Sequence, residues 1–121
     1  MSNTYKQIVN SDLIGDYITI ELAGFPGHRQ KSEPCRIHYL SMGSGEPLLL
    51  VHSVGQSIYT WRDLMPKLAD SYCVVAIELP GFGFSDRPLS LNYSMDEMAD
   101  VIVKCLDALG VKKTHALGVT M

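Results

Sequence analysis

Polar and apolar side chains alternate along Asp16-Tyr17-Ile18-Thr19-Ile20-Glu21-Leu22, a stretch rich in β-branched and aromatic residues, which predicts a strand. Arg36-Ile37-His38-Tyr39-Leu40-Ser41 alternates in the same way. Between them, Ala23 to Pro34 carries Gly24, Pro26, Gly27 and Pro34 among charges and predicts an exposed connection, so the pair reads as an antiparallel hairpin at a sheet edge. The pattern then changes to short unbroken apolar runs: Leu48 to Val51, Tyr72 to Ile77, and Ala116 to Val119. Such runs predict parallel strands covered by helices on both sheet faces. From Ser94 to Leu109, Met95, Met98, Ile102, Cys105, Leu106 and Leu109 recur at steps of three and four and predict a helix with one apolar stripe. Ser94 and Glu97 have capping-box spacing at its start, and Gly110 supplies its stop. A second helical pattern runs from about Ser57 to Leu68, with Trp61, Leu64, Met65 and Leu68 on one side, and Pro66 is expected to bend or divide it. Together these predict an α/β fold: a three-layer αβα sandwich whose mostly parallel sheet carries an N-terminal antiparallel hairpin. Residues 1–16, polar and without period, read as a leader ahead of a domain spanning 17–121.

Composition narrows the functional classes. Hydrophobic residues make up 46% of the 121 and charged residues 19%, a globular balance. Ten basic against 13 acidic residues, a net charge of −3, excludes a strongly basic binder of nucleic acid or anionic membrane. No apolar run approaches the ~20 residues that span a bilayer, and no secretory pattern opens the chain, so a cytoplasmic location is the expectation. Cys35, Cys73 and Cys105 are odd in number and widely spaced, which argues against a disulfide framework. No His/Cys spacing suits zinc, and neither a metal nor a cofactor is expected.

Candidate chemistry lies where ligands gather in open parallel sheets, beyond the C-terminal ends of the strands. After the first buried run come His52-Ser53-Val54-Gly55, after the second Glu78-Leu79-Pro80-Gly81-Phe82-Gly83-Phe84-Ser85-Asp86-Arg87-Pro88, and after the third Gly118-Val119-Thr120-Met121. Here the sequence resembles the α/β-hydrolase superfamily. The first segment is similar to its H-G-x-G oxyanion loop, the second to its D-x-P-G-x-G-x-S-D-x-P segment with Glu78 in place of Asp, and the third to the opening of its G-x-S-x-G nucleophile elbow. The resemblance covers about Arg36 to Met121, the N-terminal half of such a domain, and therefore implies an incomplete hydrolase core.

The resemblance implies site roles residue by residue. Thr120 takes the nucleophile position, where the family carries Ser. The backbone N–H groups of Val54 and Met121 become the oxyanion donors, worth ~3–4 kcal/mol each in such sites. Ser53 and Gly55 lie against the substrate, with His52 and Gly118 as structural neighbours. A β-branched residue at a strained elbow adds strain and hinders attack, so reduced activity is expected. A triad also needs a base and an orienting carboxylate. His115 opens the third buried strand at the end opposite the site, His38 sits in the hairpin and His28 in an exposed connection, so neither is expected from this chain. Asp86 is read as satisfying local turn donors, and Cys73 and Cys105 as inert core.

Three readings follow. In the first, the chain is the N-terminal portion of an enzyme acting on a small-molecule carbonyl substrate (an ester, thioester, lactone or activated C–C bond), completed by a missing segment or a second chain. A hydroxyl at position 120 disfavours the family's dehalogenase and epoxide-hydrolase branches, whose covalent intermediate needs Asp. In the second, motivated by Thr120, it is a non-catalytic hydrolase-like ligand binder. In the third, the strand Ala116 to Thr120 is an open sheet edge that recruits a partner.

Overall fold

The structure, a computed structural model, describes residues 15–22 and 33–119. Strand β1 (Asp16–Glu21) pairs antiparallel with β2 (Pro34–Met42), placing Ile18 opposite Ile37. Strands β3 (Glu46–Val51), β4 (Tyr72–Ile77) and β5 (His115–Gly118) are mutually parallel, and the five form one sheet in the order β1-β2-β4-β3-β5. The hairpin joins this parallel part through an antiparallel β2–β4 ladder.

The apolar runs work as two-faced strands. Leu48, Leu50, Val74 and Ala76 point to one face and pack with Ile58, Trp61 and Met65, while Leu49, Val75 and Ile77 point to the other and pack with Met98, Val101 and Cys105. Two hydrophobic cores, one on each side of the sheet, make the three layers.

Helix α2 (Met95–Ala108) supplies the layer over one face. Its capping box is formed: the Ser94 hydroxyl accepts from the Glu97 N–H at 3.2 Å, and the Glu97 carboxylate accepts from the Ser94 N–H at 3.1 Å. On the opposite face the segment from Ser57 to Leu68 is not one helix. A 3₁₀ turn, Ile58–Trp61, precedes a separate single-turn helix α1, Met65–Leu68. Pro66 has no N–H and is tolerated only in a first helical turn, so helix α1 has to start around it.

Other expectations need correction. The third apolar run is not buried, because all four residues of β5 are exposed: β5 pairs with β3 on one side, and no helix among the described residues covers it. Asp16 opens β1, as the alternation from Asp16 to Leu22 predicts, and the first 14 residues, like His28, lie outside the described residues. Cys73 is half-buried, whereas Cys35 and Cys105 are fully buried.

The loop after β4 is fastened to β2 by a buried ion pair. His38, 1% exposed, approaches the Glu78 carboxylate at 2.7 Å through Nδ1, and its ring sits 5.2 Å from that of Tyr17 and 5.5 Å from that of Phe84. The same carboxylate accepts from the Phe84 N–H at 2.8 Å and from the Ile58 N–H at 3.0 Å. It thereby ties β2, the loop after β3 and the loop after β4 to one point. Burial raises the Glu78 pKa, but the hydrogen bonds from His38, Phe84 and Ile58 and the charge of His38 outweigh it and hold the carboxyl below its ordinary value of 4.5. Around it, the Ser85 hydroxyl donates to the Glu78 carbonyl at 2.6 Å and accepts from the His38 N–H at 2.8 Å.

Asp86, read from sequence as a local turn residue, is a long-range one. Its carboxylate accepts from the Arg36 N–H at 2.8 Å, and its own N–H donates to the Arg36 carbonyl, which extends the β2 ladder past the end of β4.

Gly83 has φ 54°, and a Cβ there would lie 2.1 Å from the Glu78 carboxyl carbon. Gly83→Ala therefore has to displace the carboxylate and is expected to destabilise the fold by about 3 kcal/mol in urea unfolding. The ionised Glu78 also sets an acid limb. A lowered folded-state pKa gives stabilisation that is full above the ordinary value of 4.5 and is lost as pH falls through the lower folded-state value. Glu78→Gln is expected to lower stability at neutral pH and to flatten its fall below pH 4.5. An unchanged acid limb in urea melts across this range would rule out Glu78 as its source.

Candidate active site

The C-terminal ends of β3 and β5 meet at one place. Val51 and Gly118 are partners in the parallel register, so the loop leaving β3 and the chain leaving β5 start side by side. A cleft of about 840 Å3 opens there. Its mouth is edged by His52, Ser53 and Val54 on one side and Gly118 and Val119 on the other, with Leu79 and Phe82 beyond. It runs down α2 past Met95, Met98 and Ile102, and its lining is predominantly apolar. Thr120 and Met121, which follow Val119 directly, lie outside the described residues.

His52 shapes the loop after β3. The Leu79 N–H donates to His52 Nε2 at 3.0 Å, so that nitrogen carries the lone pair and the ring proton sits on Nδ1, which donates to the Ser53 carbonyl at 2.9 Å. Both ring nitrogens are thus engaged, and the ring meets Phe82 edge-on at 5.5 Å. The imidazole holds the loop after β3 against the start of the loop after β4, and neither nitrogen is placed to accept a substrate proton.

The next residues form a tight turn in which the Gln56 N–H donates to the Ser53 carbonyl at 3.0 Å. Gly55 has φ 83° and an added Cβ would meet nothing, so glycine serves the left-handed bend there and not close approach. The Val54 side chain is 77% exposed, and among the described residues no acceptor takes its N–H. Gly118 differs again: a Cβ would meet only the Val51 carbonyl oxygen at an ordinary 3.8 Å.

The loop after β4 forms the facing wall. Gly81, with φ 90°, lets the chain pass Tyr93, whose ring carbon would lie 3.0 Å from a Cβ. Tyr93 itself has φ 59° and donates its hydroxyl to the Pro88 carbonyl at 2.8 Å, which fixes this loop against the start of α2. Leu89 and Met95 stand almost wholly exposed at the rim. Phe82 lies in the Glu78-to-Pro88 segment and Met95 opens the apolar stripe read for the helix, but neither they nor Leu89 were given a site role from sequence, and Met95 stands exposed where the stripe placed it on the packed side.

The buried thiols take no part. Burial, with the Asp86 and Glu33 charges, pushes the Cys35 pKa up to about 11, and burial with Cys35 pushes that of Cys105 up to about 12. Among the described residues no group of His, Cys, Asp and Glu is arranged to hold a metal ion, and no helix is long and apolar enough to cross a membrane.

This arrangement can be set beside known proteins. The family model for the alpha/beta hydrolase fold matches residues 46–121. A soluble epoxide hydrolase of Corynebacterium sp. (strain C12) is 35% identical over 91 residues, covering 75% of this chain and 32% of that protein. Haloalkane dehalogenase 2 of Mycobacterium bovis is 39% identical over 83 residues, covering 69% of this chain and 29% of its own length. A solved meta-cleavage product hydrolase from Pseudomonas fluorescens IP01 superposes with a TM-score of 0.70 at 32% identity, over 85% of this chain and 35% of that one. The chain thus spans about a third of the length of these relatives. With the family match covering more than half of its residues and the sheet order and strand-end loops in place, the chain belongs to the alpha/beta hydrolase fold family.

Proposed function

We propose that this chain carries the oxyanion-loop and nucleophile-elbow part of a hydrolase that acts on a carbonyl substrate, an ester, thioester, lactone or activated C–C bond. The observation that carries this reading is the meeting of His52-Ser53-Val54 with Gly118-Val119 at the mouth of one apolar cleft, one residue before Thr120. In this mechanism the Thr120 hydroxyl attacks the carbonyl carbon, a base takes its proton, and the developing oxyanion is met by the N–H groups of Val54 and Met121. The Val54 N–H, with no acceptor among the described residues, is available for that role. Ser53 and Gly55 set the loop that presents it. His38 and His52 are committed to structural hydrogen bonds, so the base and its orienting carboxylate come, in this reading, from chain beyond residue 121 or from a companion chain.

The names of the relatives include an epoxide hydrolase and a haloalkane dehalogenase. What separates this reading from those chemistries is residue 120, a hydroxyl and not a carboxylate. A hydroxyl nucleophile suits acyl transfer, with an ester intermediate that water resolves. Thr120 also favours a second reading, ligand binding without turnover, because a β-branched side chain on a strained elbow is a hindered nucleophile.

The deciding measurement is hydrolysis of p-nitrophenyl butyrate by the full-length protein and its Thr120 variants. Thr120→Ala is expected to lower kcat/KM by about a thousandfold and Thr120→Ser to raise it above that of the parent. Equal rates for Ser, Thr and Ala at position 120 in folded protein would remove the nucleophile assignment and leave the binding reading.

A further inference from the structure

The Val54 N–H belongs to the same peptide unit as the Ser53 carbonyl, and that peptide is trans, so the two groups point in opposite directions. Whatever fixes the carbonyl therefore fixes the aim of the N–H. Two donors hold it, His52 Nδ1 at 2.9 Å and the Gln56 N–H at 3.0 Å.

Both donors trace back to consecutive residues just past the end of β4. His52 is held by the Leu79 N–H at 3.0 Å. Gln56 is held from the 3₁₀ turn, where the Thr60 hydroxyl donates to its side-chain carbonyl at 2.6 Å. That turn is itself tied down at its first residue, because the Ile58 N–H donates to the Glu78 carboxylate at 3.0 Å. Glu78 is 3% exposed and Ile58 5%, so this bond forms away from water, where a charged acceptor holds its donor firmly. The loop from Ser53 to Ser57 thus has one end on Leu79 and the other on Glu78.

We propose that Glu78 is a positioning residue for the oxyanion site: acting through the 3₁₀ turn and Gln56, it aims the Val54 N–H. The inference rests on reading Val54 as an oxyanion donor, and it extends the control of that donor to a buried carboxylate 24 positions away in the chain. A donor that meets charge only in the transition state acts on kcat and leaves KM nearly unchanged. A carboxylate with a purely structural role changes the amount of folded enzyme and not the turnover of what is folded.

Two substitutions interrupt the relay at different points. Glu78→Gln, with its oxygen kept toward His38 and Phe84, sets an NH2 group against the Ile58 N–H. Thr60→Val removes the hydroxyl at nearly equal volume from a half-buried position. Hydrolysis of p-nitrophenyl butyrate by the full-length protein is measured for each, with rates divided by the folded fraction from urea melts. Each is expected to lower kcat about tenfold and leave KM within about twofold, short of the hundredfold or more that loss of an oxyanion donor brings. Because both act on one relay, the double variant should also lose about tenfold, and not the roughly hundredfold of independent effects. An unchanged kcat in Glu78→Gln, a change confined to KM, or losses that multiply would overturn the inference. Thr60 is not among the donors to Glu78, so Thr60→Val tests the relay even where Glu78→Gln folds poorly, and an unchanged kcat there overturns it too. In each of these cases a large loss in Thr120→Ala leaves the nucleophile reading standing. Hydrolysis that survives Thr120→Ala unchanged removes that reading and this inference with it.

Discussion

A single buried carboxylate ties together the loops at the C-terminal ends of the parallel strands. Glu78 leaves the end of β4 and is met by His38 from β2, by the Ile58 N–H from the 3₁₀ turn and by the Phe84 N–H from its own loop. A charge out of water is costly unless every lone pair finds a donor. Here three donors converge on it, and the loops that supply them have little freedom to move apart. The loops after β3 and β4 form the cleft mouth, so the shape of the site depends on a group that does not itself line it. His52 repeats the device nearer the surface, with one imidazole bridging the Leu79 N–H and the Ser53 carbonyl.

These clamps explain how loops with several left-handed glycines stay ordered. Gly55, Gly81 and Gly83 give the backbone its sharp bends, and glycine loses more conformational freedom on folding than any other residue. Side-chain acceptors that take up the loop N–H groups offset that loss. The result is a hydrogen-bonded rim around a lining that is largely apolar.

Much of the fold was legible in the chain because its signals are local. The strand runs, the Ser94–Glu97 capping box and the Gly110 stop each depend on neighbours a few residues away, and all three appear where the pattern placed them. Of the residues given a site role from sequence, His52, Ser53, Val54 and Gly118 line the candidate cleft, and each stands at or just past the end of a strand. What periodicity does not carry is long-range pairing. Nothing local to His38 tells that its ring meets a carboxylate 40 residues away, or that Asp86 reaches across 50 residues to Arg36. The division of the segment from Ser57 to Leu68 followed from Pro66, yet nothing local tells that the Ile58 N–H at the head of its 3₁₀ turn donates to Glu78. The apolar run of β5 looked buried because the pattern records what a strand is suited to cover, not what covers it.

Gly83 and Glu78 occupy overlapping space, since any Cβ at 83 would fall on the carboxyl group of 78. With Glu at 78, a side chain at 83 has to displace the carboxyl end of that residue, and with residue 78 shortened or turned away the clash is gone together with the shared anchor for two loops. The left-handed backbone at 83 would still favour glycine, so the two positions are coupled through space and not through backbone conformation.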